Sequence, residues 1–212
     1  MTDAYKPALD SFVLDAAEEA AVAAAMTTAK PWAVKNDAIK SVKAKIRALH
    51  LARHGNTCCY CRTILQGGGH FMIDREHVLP KKKYKPFTYT IWNLSVACKR
   101  CNMQFKGEGD CFVKDKAGAS FEDAENYDIV HPNYDEWESH LDRQAQQSNR
   151  KLLVKYRVIG GSVKGSYTYD YFALKDLEID SFDEGQGIEK PPLMAETDAM
   201  LEARAIAREF GQ

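Results

Sequence analysis

No stretch of this 212-residue chain stays apolar for the roughly 18 residues that a membrane helix needs, so no membrane span is expected. The opening Met1-Thr2-Asp3-Ala4-Tyr5-Lys6 lacks the basic-then-apolar pattern of a signal peptide, and a cytoplasmic setting is expected. Net charge is nearly absent, at −1, which argues against a nonspecific nucleic-acid coat. No internal repeat or low-complexity tract is visible, so a repeat array is excluded. Cysteine is sparse, six in all, and in a cytosolic protein such residues are more often metal ligands than disulfides. What remains is the composition of an ordinary globular protein, 45% apolar and 28% charged, long enough for one sizeable domain with appendages.

Four of the six cysteines are paired. Cys58-Cys59-Tyr60-Cys61 and Cys98-Lys99-Arg100-Cys101 form two Cys-x-x-Cys knuckles, and four thiolates from two knuckles complete a closed tetrahedral Zn²⁺ shell. The 36 residues between Cys61 and Cys98 exceed a zinc-ribbon gap, so the intervening stretch is expected to house something useful. Cys59 and Cys111 are left over as plain thiols. The charge is also unevenly spread. Residues 75–106 hold eight basic residues against Glu76 alone, whereas residues 107–142 hold eleven acids against Lys114 and Lys116. A basic segment therefore coincides with the cysteine motif, and an acidic one follows it.

Along the chain, residues 11–29 read as an alanine-rich helix capped by Asp10 or Ser11 and ended by Pro31. A second helix is expected over 37–54, capped by Asn36 or Asp37, with Ile39, Val42, Ile46 and Leu49 as its apolar stripe. Its basic residues, among them Lys40, Lys43 and Lys45, form either a solvated face or a phosphate-tracking one. After the Gly67-Gly68-Gly69 turn, residues 71–74 and 93–97 read as short strands around a basic, aromatic loop, with a helix starting at 98–101. Pro132 suits the first turn of a helix over 134–141. Residues 151–159 and 163–172, rich in Val, Tyr and Thr around Gly160-Gly161, read as a hairpin. Residues 181–192 look like a linker and 194–210 like a last helix, which finishes the core or docks a partner. The expected domains are 1–56, helical; 57–107, the cysteine-bracketed core; 108–180, the acidic segment, helix and hairpin; and 181–212, linker and helix.

Between the knuckles lie Asp74, Glu76, His77 and Asn93, with Asn102 directly after the second. Phosphodiester hydrolysis needs an activated water and a divalent ion at the scissile phosphate. A neutral histidine can take the water's proton, and a hard ion such as Mg²⁺ needs only one or two protein oxygens. His77 is the candidate base; Glu76, Asp74 and the amide oxygen of Asn102 are candidate ligands. Adjacent residues on an extended strand point to opposite sides, so Glu76 and His77 can serve one site only where the strand ends or bends. Lys81, Lys82 and Lys83, interleaved with Tyr84, Phe87 and Tyr89, are either a solvated run or backbone contacts. Arg100 and Lys106 are candidate phosphate contacts at the start of the motif helix.

These residues resemble the HNH endonucleases: Glu-His-Val-Leu-Pro (76–80), Trp-Asn-Leu (92–94), then Cys-x-x-Cys-Asn with Lys106, over about residues 57–107. The resemblance implies an α+β chain carrying a ββα-metal finger, flanked by N-terminal helices and a C-terminal helix–hairpin–helix extension. It implies that His77 is the general base, that Asn93 holds the loop and the imidazole, and that Glu76 and Asn102 bind the catalytic ion. Cys58, Cys61, Cys98 and Cys101 would bind structural zinc. Asn102 stands where the family usually has its last His, which favours Mg²⁺ or Mn²⁺ over softer ions. The run Tyr127-Asp128-Ile129-Val130-His131-Pro132-Asn133-Tyr134-Asp135-Glu136-Trp137, with the Cys-Lys-Arg-Cys-Asn ending and Lys106-Gly107, is similar to HNH nuclease subunits of Septu and retron-associated anti-phage systems, which accompany an ATPase. The expected activity is metal-dependent hydrolysis of DNA. The alternative is an inactive, zinc-stabilised module that binds nucleic acid or protein. The acidic segment is expected to cover the basic face until a partner moves it. No base-reading element is recognisable, so contacts dominated by phosphate are expected.

Overall fold

The computed structural model describes residues 3–117, 120–149 and 151–179. It is a mixed α+β structure that divides into two compact units. One comprises Met1–Arg143 with Tyr156–Leu177, the other Gln144–Lys155 with Glu178–Gln212. Among the described residues, no helix is long and apolar enough to cross a membrane.

The first unit begins with two packed helices. Helix α1, Ala16–Met26, starts at Asp15, whose carboxylate accepts from the Glu18 amide while Glu18 returns a bond to the Asp15 amide. This reciprocal capping box overrides the earlier start expected at Asp10 or Ser11. Glu18 is buried and also accepts from Ser41 and Lys45 of the next helix. Helix α2, Asp37–Arg53, begins where Asn36 accepts from the Ile39 amide, one of the two caps expected. Its buried stripe runs Ile39, Val42, Ile46, His50, Arg53; Leu49 is only half-buried. The stripe therefore ends on polar residues. Arg53 can be buried there because Asp3 grips its guanidinium with both oxygens (2.7 and 2.8 Å) and Pro7 accepts a further bond. Val42 and Ile46 pack on Leu94, which seats α2 against the cysteine-bracketed core.

A single helical turn, α3 (Gly69–Met72), stands where a strand was expected to begin. Strand β1, Ile73–His77, then pairs antiparallel with β2, Leu94–Cys98, in the register Ile73↔Cys98 to His77↔Leu94. A wide, π-type helical segment, Arg100–Lys106, follows β2 at once and ends at Gly107, whose φ of 50° favours glycine.

Three expectations fail downstream. Residues 134–141 hold only the short 3₁₀ turn Trp137–Ser139, because the Asp135 carboxylate accepts from the His131 amide and from Lys164, pinning the chain in a turn. The hairpin is β3 (Leu141–Ser148) with β4 (Lys151–Val158), turning at Asn149 (φ 54°) rather than at Gly160-Gly161. Val163–Tyr171 is a helix, α4, capped by Ser162 through the Gly165 amide. In the second unit the described residues are the outer part of that hairpin and a bridge between Val154 and Ile179. The expected linker at 181–192 and helix at 194–210 lie outside the described residues.

The acidic segment is built into the first unit. Phe112, Val113, Phe121, Ala124 and Tyr127 are buried, so its carboxylates ride on a packed loop rather than a free tail.

Candidate metal centre and histidine cleft

The sulfurs of Cys58, Cys61, Cys98 and Cys101 all lie within 4.8 Å of one another. The first knuckle is a tight turn in which Arg62, at φ 55°, donates its amide to Cys58 O (2.9 Å) and Cys58 donates to Thr63 O (2.9 Å). The Cys59 amide donates to Val96 O (3.0 Å), which docks this knuckle onto β2. The second knuckle is formed by the end of β2 and the π-type segment. The Cys101 amide donates to Cys98 Sγ at 3.4 Å. Cys61 and Cys98 sulfurs are 3.8 Å apart, the edge of a tetrahedron of about 3.8 Å that Zn–S bonds of about 2.3 Å produce. Donation from the Cys101, Cys58 and Cys98 thiols holds Cys61 well below the usual thiol range, while burial and the same shared contacts push Cys58, Cys98 and Cys101 up. Four buried or half-buried cysteines at this spacing fit a zinc ion. Cys59 is buried outside the cluster, and Cys111 is exposed.

His77 ends β1 and is buried. Its Nε2 lies 3.0 Å from the Thr88 carbonyl, which can only accept, so Nε2 carries the proton and Nδ1 the lone pair. The ring edge meets Trp32 face to edge, with centroids 4.5 Å apart at 84°. Burial, followed by the nearby charge of Lys81, pushes its pKa down to about 3, so the imidazole is neutral at physiological pH.

Asn93 is fully buried and clamps the loop after β1. Its Oδ1 accepts from the Leu79 amide (2.6 Å), and its Nδ2 donates to Leu79 O (3.2 Å) and Phe87 O (3.0 Å). The imidazole itself is held by Thr88 and Trp32, which the sequence did not single out. Asn133, from the downstream run, donates to both Trp92 O and Leu94 O (2.8 Å each), fixing the backbone on either side of Asn93. The composition of that run carried no signal for this clamp.

Glu76 turns away from His77, as strand alternation requires. It is fully buried, accepts from Tyr60 Oη (3.1 Å) and pairs with Lys106 Nζ at 3.0 Å. Its Oε2 has no hydrogen-bond partner. Burial raises its pKa, which the Lys106 ammonium opposes. Asp74, on the same side of β1, accepts from Asn102 Nδ2 (3.2 Å) and Lys99 Nζ (3.0 Å). Arg100 donates to Phe172 O and Ala173 O (2.8 Å each) beyond the end of α4, and its guanidinium stacks over Phe105. It also pairs with Asp176 (3.5 Å), so the guanidinium is engaged within the fold. Lys82 pairs with Glu108 (2.9 Å) and Lys83 with Asp110 (2.8 Å).

His77, Asn102 and Lys106 nevertheless line one narrow cleft of about 80 Å³, with Arg75, Lys81 and Lys82. A neutral imidazole, an amide and several cations converge there. That combination suits an anionic ligand and proton transfer from a water.

No protein-family model matches the chain, and no solved structure matches it. The chain is 28% identical over 136 residues to the Septu protein PtuB of Bacillus thuringiensis, a match covering 64% of this chain and 43% of that protein. The chain thus spans less than half the length of the relative it matches.

Proposed function

We propose that the chain is an HNH-type endonuclease that hydrolyses phosphodiester bonds in DNA with a divalent ion, and that it acts in anti-phage defence beside an ATPase partner. The observation that carries the reading is the shared cleft of His77 and Asn102 next to a four-cysteine cluster. The order of a short antiparallel pair, β1–β2, and the π-type helical segment Arg100–Lys106 supports a ββα-metal reading. The likeness to PtuB supports the defence role and the partner.

In this reading His77 Nδ1 takes the proton of a water whose oxygen attacks phosphorus, while the bond to the leaving sugar oxygen breaks. Thr88 keeps the reactive tautomer by holding the proton on Nε2. The burial that keeps the ring neutral also makes it a weak base. A phosphate beside Lys81 would offset the smaller, charge-derived part of that shift, and the part due to burial would remain. Asn93 fixes the loop that carries Lys81, Lys82 and Lys83. Asp74, Glu76 and Asn102 are the oxygen donors that would hold the catalytic Mg²⁺ or Mn²⁺; of the three only Asn102 lines the cleft with His77, so Asp74 and Glu76 would have to reach the ion from the other face of β1. The unpartnered, buried Glu76 Oε2 fits that role, and the Lys106 ammonium must yield to it. When bound, such an ion neutralises charge developing on the phosphate. Cys58, Cys61, Cys98 and Cys101 hold a structural zinc in the same reading. Lys81, Lys82 and Lys83 are the phosphate contacts, whereas Arg100 and Lys106 position the site from inside.

The test is a plasmid assay with Mg²⁺ or Mn²⁺. The native chain nicks or cuts; His77→Ala does not, and its zinc content is unchanged. Normal cutting by the variant refutes the assignment. One observation favours the alternative, a binding module without catalysis: Glu76 already has Lys106 as its counter-charge. That reading predicts a gel shift with no divalent-dependent products.

A further inference from the structure

Beside the histidine cleft lies a larger cavity of about 550 Å³, within the size range of small-ligand sites. Pro31 and Trp32 give it an apolar floor, and Lys30, Lys81, Lys82 and Lys85 line it as cations; Glu108 is the one acid in its lining. Lys81, Lys82 and Glu108 line the histidine cleft as well, so the two spaces are neighbours along one wall. The floor is held firmly. Lys43 Nζ donates to Trp32 O (2.7 Å) and Val34 O (3.3 Å), and Tyr89 Oη donates to Pro31 O (3.0 Å). The indole is braced by Tyr89 and His77, at centroid distances of 5.1 and 4.5 Å. It is half-buried and lines the cavity, with Lys43 Nζ over its ring 4.8 Å from the centroid.

An indole floor under a ring of lysines is the chemistry of a stacked base with its flanking phosphates. A base inside a duplex cannot reach such a floor; one in a single strand, or turned out of a helix, can. We propose that this cavity receives an unstacked nucleoside of the strand whose phosphate lies at His77, and that the substrate is therefore single-stranded or locally splayed nucleic acid. The inference rests on the nuclease reading for the position of the phosphate. The stack is sequence-tolerant, since every base has a face to offer.

The 212-residue chain, without divalent ion, is titrated by fluorescence anisotropy with a labelled single-stranded oligonucleotide and with a blunt duplex of the same sequence. The native chain binds the single strand more tightly. Trp32→Ala loses about tenfold on the single strand, as removal of one stacking contact does, and little on the duplex. Trp32→Phe restores most of the loss, and a thermal melt shows that each variant is folded. The double variant Lys30→Ala with Lys85→Ala, which leaves the His77 contacts alone, weakens single-strand binding and flattens its salt dependence. Equal native affinity for strand and duplex, no binding of either, or a folded Trp32→Ala protein that binds the single strand as tightly as native would each overturn the proposal. The nuclease reading fails separately, if His77→Ala cuts plasmid normally while the strand preference persists.

Discussion

At the scale of single residues, the candidate site is set by which hydrogen each polar atom carries. A carbonyl fixes the His77 tautomer, and three backbone groups use every donor and acceptor that Asn93 needs to clamp a loop. Asn93→Ala leaves those buried groups unpaired and is expected to cost about 3 kcal/mol by urea unfolding, with cutting lost. Asn93→Asp is worse at neutral pH, because a carboxylate oxygen would face Leu79 O and Phe87 O. Asn93 and His77 were legible from Trp-Asn-Leu and Glu-His-Val-Leu-Pro. Thr88, Trp32 and Asn133 were not, since each acts through a contact made only after folding. The opposed directions of Glu76 and His77 followed from strand alternation; the Lys106 counter-charge did not.

At the scale of elements, the Cys59 amide docks the first knuckle on β2, and the four clustered sulfurs could add a shared cation to that joint. Metal analysis should find about one zinc per chain, as four thiolates for one tetrahedral ion require. Cys101→Ser should lose zinc and lower the melting temperature, whereas Cys59→Ala should keep the zinc. The loop after the motif offers a second element-scale test. The Lys82–Glu108 pair is exposed on both sides (74% and 63%), so it contributes little to stability. Glu108→Ala is expected to leave the melting temperature nearly unchanged; adding Asp110→Ala removes a largely buried carboxylate that accepts from Lys83, Tyr84 and Lys116 and should lower it, while the pair together should raise nucleic-acid affinity several-fold at low salt, read by anisotropy. Unaltered affinity would mean that these acids do not cover the basic face. Deleting the acidic segment cannot make the same point, because Phe112, Phe121 and Tyr127 would leave the core with it. Helix α4 shows where local composition misleads. Its Val, Tyr and Thr content favours a strand, but Ser162 caps a helix and Gly165 packs closely on the His140 carbonyl. Gly165→Ala has no room for its methyl group and should destabilise the first unit.

At the scale of the whole molecule, buried neutral histidines couple the fold to pH. Burial lowers His50 and His131 to about 3, and His54 well below its usual value; Arg62 donates to His54 Nδ1, which blocks protonation there. The unfolded chain takes up these protons near pH 6.5; the folded chain takes up those of His50 and His131 only near 3, and that of His54 well below 6.5. Stability is therefore full above about 6.5 and is lost as pH falls, by about 1.4 kcal/mol per pH unit for each such group. Thermal melts from about pH 7.5 to 5.5 should show a falling midpoint, and His131→Gln should shallow the slope. Taken alone, the sequence determined which four cysteines could share a cation, the order of acid, histidine and asparagine, and most of the apolar stripe of α2, because spacing and periodicity are properties of a local stretch. Only the tertiary structure decided that Lys106 faces Glu76, that Arg100 serves the backbone beyond α4, and that an indole from the N-terminal segment braces the histidine. Those pairings join residues far apart in the chain, and nothing in local composition specifies which distant partner a buried charge or ring will meet.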